Sequence, residues 1–261
     1  MNWKISFCGA KPSLKNPILI EGLPGIGNVG KVVVDFIIDE IGAKKIAEFN
    51  SYKFPHSVFV NERNLVELPV IELYYKKCNG RDILLLGGDV QPADEVSCYE
   101  FCDRVLDLLN QFNCDEVITL GGVALRQEPK NPKVYVTGND KKFIKNYQQG
   151  TNANDELYGV VGPIVGVSGL LLGLAKRRKI KGVSQLAETY AHPLHLGLGG
   201  AREILKILKK KLKLKVNITL LNKEIERFAQ EVSKQSTRGR FIKRGKLIRP
   251  KSKKEDVSYI G

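Results

Sequence analysis

The sequence predicts an α/β protein with a mixed, mostly parallel β-sheet and helices on both faces. Short apolar runs rich in β-branched residues recur along the chain, and segments with helical periodicity lie between several of them. The chain has 261 residues, of which 43% are hydrophobic, so it can bury a sizeable core. Strands that alternate with helices usually form a sheet covered by helices, and this is the basis of the prediction.

Eight strands and four helices are expected in the first 214 residues. The strands cover residues 18–20, 45–49, 57–60, 66–75, 82–86, 116–120, 133–137 and 182–187. The helices cover residues 28–41, 94–112, 167–178 and 201–212, where apolar residues recur at helical spacing. Two predicted strands run into glycine pairs, Gly87 with Gly88 and Gly121 with Gly122. The carboxyl ends of strands in an open α/β sheet border the crevice where ligands bind. We assign residues 1–214 to one α/β domain.

The pattern changes after Leu214, where the apolar residues become spaced alternately three and four positions apart. These residues are Ile218, Leu221, Ile225, Phe228 and Val232, and they form a heptad seam. Asn217 stands where a helix N-cap is expected. We predict that residues 215–236 form an amphipathic helix that packs on its own domain or meets a partner or a second copy. We assign the seam to oligomerisation.

Residues 237–261 have no period and few large apolar residues, which predicts a flexible basic tail. The net charge of the chain is +14, and residues 201–261 hold 19 of the 42 basic residues but only 6 of the 28 acidic ones. Such a block can bind nucleic acid, lie on an anionic membrane or act as a solvated interaction segment. Only Phe241 and Tyr259 are aromatic in the tail, which is poor for base stacking. We expect non-specific binding of nucleic acid and no membrane association.

The cysteines and the apolar segments favour a cytoplasmic protein. The five cysteines form no C-x-x-C pair, so we expect reduced thiols without a disulfide framework. The first 13 residues do not resemble a signal peptide. Residues 158–175 are mostly apolar but contain five glycines and a proline, and they fall short of the roughly 20 continuous apolar residues of a membrane span.

The stretch PILIEGLPGIGNVGKVVVDFII, residues 17–38, looks like a dinucleotide-binding fingerprint. Gly25, Gly27 and Gly30 follow an apolar run and precede a helical pattern, and Glu48 lies where an acidic residue would hold a ribose. However, four residues separate the predicted strand from Gly25, so the turn is longer than a dinucleotide-binding loop. The alternative is that the glycines form a structural turn that lets a helix pack closely on the sheet.

Other candidate reactive groups are few. Ser168 in GVSGL resembles a nucleophile elbow, but Leu170 stands where that motif needs glycine. The spacing of Glu188, His192 and His195 could suit zinc, but Pro193 breaks any helix that would align the imidazoles. Cys98 and Cys102 lie on one helix face, where small semi-apolar residues commonly pack. We therefore expect no metal and no cofactor, with one alternative: a nucleotide or nucleoside enzyme that uses the crevice at the glycine pairs.

Four motifs resemble the archaeal branch of the proteasome assembly chaperone family. They are EGLPGIGNVGKVVVDFIIDEIGA (21–43), LLLGGDVQP (84–92), TLGGVAL (119–125) and GPIVGVSGLLLGLA (162–175). The resemblance covers most of residues 15–236, and the Leu-Pro insertion before the glycines makes the first motif quite specific. It implies a fold similar to purine-nucleoside phosphorylases, in which the glycine turn holds no dinucleotide.

The resemblance also implies a non-enzymatic protein that self-associates and contacts the α-subunits of the proteasome core particle. Proteasome partners often end in a hydrophobic residue, a tyrosine and a final residue, which enter pockets between α-subunits. Here Tyr259 is followed by Ile260 and Gly261, so the tyrosine is third from the end of this sequence instead of second. We assign these three residues to partner binding, with Tyr259 as the anchor. A nucleic-acid-binding protein acting through the basic block is a further alternative.

Overall fold

A computed structural model describes residues 3–78, 80–157, 162–192 and 195–221. The strands are β1 (Lys4–Phe7), β2 (Ile18–Glu21), β3 (Lys44–Asn50), β4 (Phe59–Val60), β5 (Val66–Glu67), β6 (Ile71–Cys78), β7 (Arg81–Gly88), β8 (Glu116–Leu125), β9 (Val134–Gly138), β10 (Ala153–Asn154) and β11 (Lys181–Tyr190). The helices are α1 (Val29–Ile41), α2 (Glu95–Gln111), α3 (Lys141–Gln148), α4 (Val167–Arg177) and α5 (Leu198–Leu212).

Nine of these strands form one mixed sheet in the order β1-β3-β6-β7-β2-β8-β11-β9-β10. The four central strands, β7, β2, β8 and β11, are parallel to one another. Antiparallel pairs flank them, through β6 on one side and β9 on the other. The α/β fold and the mixed sheet are as predicted from the sequence, and the parallel pairing is concentrated at the centre.

Helices cover both faces of the sheet, as the alternation of strands and helices predicts. α1, α3 and α5 pack on one face, where Val33, Phe143 and Leu205 are buried with Ile20 and Ile118 of the central strands. α2 and α4 pack on the other face around Leu19, Leu84 and Val117. Both faces of the central strands are therefore buried, which is why β2 and β7 carry nearly continuous apolar runs, whereas β11 also buries the polar Ser184 and Gln185.

Polar residues define where two of the helices begin. Asp94 accepts a hydrogen bond from the Ser97 amide at 2.8 Å at the start of α2, and Asp140 accepts one from the Phe143 amide at 2.7 Å at the start of α3. Each carboxylate satisfies an amide that has no partner within its helix. These caps fix the helix starts on the carboxyl side of the preceding strands.

The start of the predicted C-terminal helix packs on the α/β core. Residues 218–221 are helical, and the Asn217 side chain accepts a hydrogen bond from the Thr219 amide at 3.1 Å. Leu221 is fully buried in the same core as α1 and α5, and Ile218 packs against that core. The described part of the segment 215–236 is thus continuous with the preceding domain, and Leu221 is covered by its own chain. The remaining seam residues, Ile225, Phe228 and Val232, lie outside the described residues, as does the predicted tail.

Candidate functional site

The turn between β2 and α1 lies at the carboxyl end of the central strands and packs directly on β8 and β11. Residues Ile26–Asn28 form a 3₁₀ turn in which Gly27 has a φ of 60°. A Cβ atom at Gly27 would lie 2.6 Å from Thr189 Oγ1, and one at Gly30 would lie 2.5 Å from the Leu120 carbonyl oxygen. A Cβ atom at Gly25 would have its nearest neighbour at 4.0 Å, the Gln91 amide nitrogen. Gly27 and Gly30 therefore allow close packing, whereas the position of Gly25 has room for a side chain.

The surroundings of this turn differ from those of a dinucleotide site. The Gly27 carbonyl accepts a hydrogen bond from the Gly197 amide at 2.7 Å, so part of the turn is already bonded to the segment before α5. Glu48, the residue that would hold a ribose, lies on β3, which is separated from β2 by β6 and β7. The Glu48 Oε1 atom lies 2.5 Å from Lys45 Nζ. The turn and Glu48 are therefore not brought together at one site.

A buried carboxylate ends β2 immediately before this turn. Glu21 is fully buried, and its Oε1 accepts a hydrogen bond from the Leu23 amide at 3.0 Å. Its Oε2 accepts a hydrogen bond from Ser168 Oγ at 2.9 Å. Burial raises the pKa of Glu21 to about 7, although both hydrogen bonds favour the charged form. The carboxylate connects the β2–α1 turn to the first turn of α4.

Gln91 makes a second connection between the same two elements. Its Nε2 donates to the Pro24 carbonyl at 2.6 Å, and its Oε1 accepts from the Val167 amide at 2.9 Å. The amide of Val167 belongs to the first turn of α4 and has no partner within the helix. Glu21 and Gln91 thus fix the glycine turn against α4 from two directions.

The contacts of Glu21 and Ser168 are those of a structural pair. Ser168 is half-buried, and besides Glu21 it lies 3.3 Å from the Leu120 carbonyl oxygen, a second acceptor for its hydroxyl. A serine nucleophile needs a base that can accept its proton beside space for a substrate. Glu21 could accept a proton, but it is fully buried and both of its oxygens bond to the chain. The arrangement therefore supports packing of α4 on the turn.

Backbone and side-chain atoms of neighbouring segments also lie close to the glycine pairs, where a ligand crevice was predicted. Gly121 and Gly122 lie inside β8, which continues to Leu125, so this pair does not end a strand. A Cβ atom at Gly122 would overlap the Ile26 carbonyl and lie 2.9 Å from Thr189 Cγ2. A Cβ atom at Gly88 would lie 2.6 Å from the Val70 carbonyl oxygen. The glycines accommodate neighbouring backbone, and these contacts provide no room for a base or a sugar.

One cleft lies beside Gly87 and Gly88, and it is lined by charged groups. Its volume is about 20 Å³, room for about one water molecule. The buried Lys31 amine lies there at 2.9 Å from the Gly88 carbonyl, 3.0 Å from Asp35 and 3.8 Å from Asp89. Burial raises the pKa of Asp35, while the Lys31 charge opposes this effect. The lysine joins α1 to the end of β7, and the cleft is too small for a nucleotide.

The three candidate zinc ligands, Glu188, His192 and His195, contact other side chains. Glu188 accepts hydrogen bonds from the Tyr135 hydroxyl and the Lys133 amide, both at 3.0 Å, while His192 stacks on Tyr190. His195 lies 4.0 Å from Glu128. Within residues 3–78, 80–157, 162–192 and 195–221, no cluster of three acidic, histidine or cysteine side chains is arranged to hold a metal ion.

The five cysteines are free thiols, as the absence of paired spacing predicts. Cys98 and Cys102 lie one turn apart on α2, and the hydrogen bond between them lowers the pKa of Cys98 and raises that of Cys102. In the segment 158–175, α4 begins only at Val167. In the part of the chain that the structure describes, no helix combines the length and apolar character needed to cross a bilayer.

These features define the class of protein. It is an α/β protein in which the glycine turn packs on β8 and β11 at the carboxyl end of the central strands, held there by Glu21 and Gln91. Comparison with known proteins then identifies the particular family. The chain belongs to the PAC2 family, whose sequence profile matches residues 19–236. This confirms the resemblance to archaeal proteasome assembly chaperone homologues.

Solved structures and curated relatives agree with this assignment. Pyrococcus furiosus PbaB, described as an archaeal proteasome activator, is 32% identical, with a TM-score of 0.80 over 89% of this chain and 98% of PbaB. P. furiosus PbaA, an archaeal homolog of proteasome-assembly chaperone, shares the fold at 24% identity, with a TM-score of 0.74 over 90% of this chain and 91% of PbaA. An uncharacterized protein of Methanocaldococcus jannaschii is 26% identical over 95% of this chain and 93% of its own length.

Proposed function

We propose that this protein is a non-enzymatic assembly chaperone or activator that binds the α-subunits of the proteasome core particle. The observation that carries the proposal is the likeness to PbaB, a proteasome activator, at 32% identity over 89% of this chain. Membership in the PAC2 family supports the same role. The close packing of Gly122 against Ile26 and of Gly88 against Val70 favours binding over catalysis, since the cleft beside Gly87 and Gly88 has room for only about one water molecule.

The proposed contact with the α-subunits is made by Tyr259, Ile260 and Gly261. The 25 residues from 237 to 261 could act as a tether of roughly 28 Å root-mean-square length. Tyr259 supplies apolar ring area and one hydroxyl for a hydrogen bond. The basic residues between 238 and 254 would steer the segment to the partner, and their effect should weaken as salt increases.

We further propose that the protein self-associates, partly through the seam residues Ile225, Phe228 and Val232. One tail should bind weakly, because ordering it costs conformational entropy. Several tails on one oligomer raise the overall avidity by about 10² to 10⁴ when the partner offers several pockets. Self-association would therefore convert a weak contact into stable capture of a ring of α-subunits.

The proposal is tested by capture of purified α-subunits and complete core particles on the immobilised protein. Deleting residues 259–261 should abolish capture at physiological salt, while circular dichroism and light scattering remain unchanged. Ser258→Ala is the matched control and should retain capture. Undiminished capture by the truncated chain would contradict the tail contact, and no capture by the unaltered chain would contradict the proposed function itself.

A further inference from the structure

Lysines are concentrated on α3 and α5, which pack on the same face of the sheet. Within residues 141–150 and 198–216, ten residues are basic and only Glu203 is acidic. Eight of the ten are exposed lysines: Lys141, Lys142 and Lys145 on α3, and five more between residues 206 and 215. We call these eight side chains the lysine face.

The two parts of the lysine face are joined, because the end of α3 touches the end of α5. The Lys211 amine donates a hydrogen bond to the Gln149 carbonyl at 2.7 Å, and the Lys210 amine donates to the Gly150 carbonyl. These contacts fix the two helices side by side and hold part of the positive charge in place. The surface is therefore partly ordered before anything binds, which lowers the entropy cost of binding.

The helix ends and the bordering acidic residues offset only part of this charge. A helix C-terminus carries about half a negative charge, which one or two lysines satisfy. The bordering acidic residues are Asp39 and Glu40 at the end of α1, Asp140 before α3, and Asp155 and Glu156 after β10. Even when all five are added to Glu203, ten basic residues stand against six acidic ones. Burial and the neighbouring Lys210 charge lower the pKa of Lys211, as expected where positive charges crowd together.

The lysine face lacks the apolar side chains of a membrane-binding surface. A helix that binds a membrane inserts an exposed apolar face between the lipids. The apolar residues of these two helices, among them Phe143, Ile204 and Leu208, are instead buried in the core. In α3 and α5, which the structure describes from end to end, no large hydrophobic side chain is exposed. The surface therefore offers charge to a partner but nothing to insert into lipid.

The composition of the lysine face also differs from that of a protein interface. The cores of such interfaces are enriched in aromatic residues, methionine and arginine, and they are depleted of lysine. Here the single arginine, Arg202, is paired with Glu203 at 3.0 Å. A surface made almost entirely of exposed lysines therefore favours a partner that is recognised by its negative charge alone.

The aromatic residues distinguish between single-stranded and double-stranded nucleic acid. Proteins that bind single strands stack the bases on exposed aromatic rings. The two aromatic residues of α3, Phe143 and Tyr147, are buried, and α5 has none. A duplex needs no stacking partner, because its bases are already stacked inside and its phosphates face outwards. Duplex DNA carries about one charge per 1.7 Å of helix axis, and each phosphate that a lysine neutralises releases counterions.

We infer that the lysine face binds the phosphate backbone of duplex DNA without sequence preference. The sequence alone predicts such binding for the basic tail, and the inference adds α3 and the folded part of the basic block. It does not depend on the proposed contact with the proteasome.

The salt dependence of DNA binding by the intact chain tests the inference. The probe is a labelled mixed-sequence duplex of about 20 base pairs, followed by fluorescence anisotropy between about 50 and 200 mM KCl. The test variant combines Lys142→Gln, Lys145→Gln and Lys206→Gln. The matched control combines Lys4→Gln, Lys176→Gln and Arg177→Gln, three exposed positions on β1 and α4. Both variants lose the same charge and keep residues 237–261, so any difference between them comes from the lysine face.

The test variant should show both a weaker salt dependence and a lower affinity than the control. The slope of log K against log salt concentration is about −0.9 for each phosphate neutralised, so three lost contacts should reduce its magnitude by about 2 to 3. At about 0.1 M salt the affinity should fall roughly 10²-fold, whereas the control should stay within about threefold of the wild type. Circular dichroism melting should match the wild type in both variants, because all six positions are exposed.

Four outcomes would overturn the inference. If the test variant and the control have equal slopes and affinities, the basic tail binds DNA alone. If the unaltered chain does not bind the duplex at about 50 mM salt, there is no DNA site. If vesicles of phosphatidylcholine and phosphatidylserine capture the unaltered chain but not the test variant, while duplex binding does not distinguish them, the face contacts a membrane. If the test variant loses only the capture of α-subunits, the face is a protein contact.

Discussion

Gly27 allows a quantitative test of the glycine turn. The change is Gly27→Ala, which adds a Cβ atom at a φ of 60°, 2.6 Å from Thr189 Oγ1 and 2.8 Å from Thr189 Cγ2. The left-handed backbone costs alanine about 1–2 kcal/mol, and overpacking against Thr189 adds about 1–3 kcal/mol. The expected loss in the free energy of unfolding is therefore about 2–5 kcal/mol. Gly27→Val should lose more, because its side chain is larger and β-branched.

A double-mutant cycle separates the two causes. Thr189→Ala removes the two atoms nearest to the new Cβ and leaves Thr189 Cβ at 3.2 Å, and Thr189 Oγ1 is buried without a hydrogen-bond partner among the described residues. The combination with Gly27→Ala should therefore be about 1–3 kcal/mol more stable than the sum of the single changes. The remaining loss would come mainly from the left-handed backbone, with a smaller part from the 3.2 Å contact to Thr189 Cβ.

The measurement is urea unfolding followed by circular dichroism at fixed pH. Gly25→Ala is the matched control, since its Cβ would have 4.0 Å to the nearest atom and its φ of −161° is extended. It should cost less than about 1 kcal/mol. The reasoning is refuted if Gly27→Ala matches the wild type, or if the two changes add without coupling.

Two further predictions concern buried groups. Folding raises the pKa of Glu21 from 4.5 to about 7, so the folded state holds this proton more tightly. The contribution of Glu21 to the free energy of unfolding is complete below pH 4.5 and declines by about 3 kcal/mol as the pH rises through 7. Glu21→Gln should remove this decline in melting curves measured between about pH 4 and 8, whereas the control Glu95→Gln, at an exposed position, should keep it. Parallel curves for the wild type and Glu21→Gln would contradict the prediction. Leu221→Lys should cost about 3–5 kcal/mol in the monomer itself, because Leu221 is fully buried. Ile225→Lys with Phe228→Lys should instead lower the mass by light scattering without changing the melting temperature, and an unchanged melt for Leu221→Lys would show that this residue is not part of the core.

The sequence predicted the central elements well because the helices carry apolar residues at helical spacing and the central strands contain short buried apolar runs. All four expected helices are present, and α1 begins within one residue of its predicted start. The run 66–75 is divided into β5 and β6, since Pro69 interrupts it. β1, β10 and α3 were missed. α3 has eight residues and only three apolar side chains, Phe143, Ile144 and Tyr147, which is too short a stretch for a periodic signal.

The anchor at the glycine turn could not be predicted from spacing. Glu21 and Ser168 are 147 residues apart, and Gln91 and Val167 are 76 apart, so the contacts depend on the order of strands in the sheet. One local signal was available: Glu21 is an acidic residue that ends the buried strand ILIE. A charged group inside an apolar run needs a partner, and this alone marks Glu21 as a residue to examine.

The position of Leu221 shows why changes along the predicted helix 215–236 should differ in effect. α1 starts after the glycine turn and runs towards Glu40, whose carboxylate accepts a hydrogen bond from the Asn217 amide at 2.9 Å. The turn that follows places Leu221 in the core that α1 and α5 share, where it is fully buried. A charge at Leu221 must therefore disturb the fold of each copy, whereas Ile225→Lys with Phe228→Lys tests the proposed self-association.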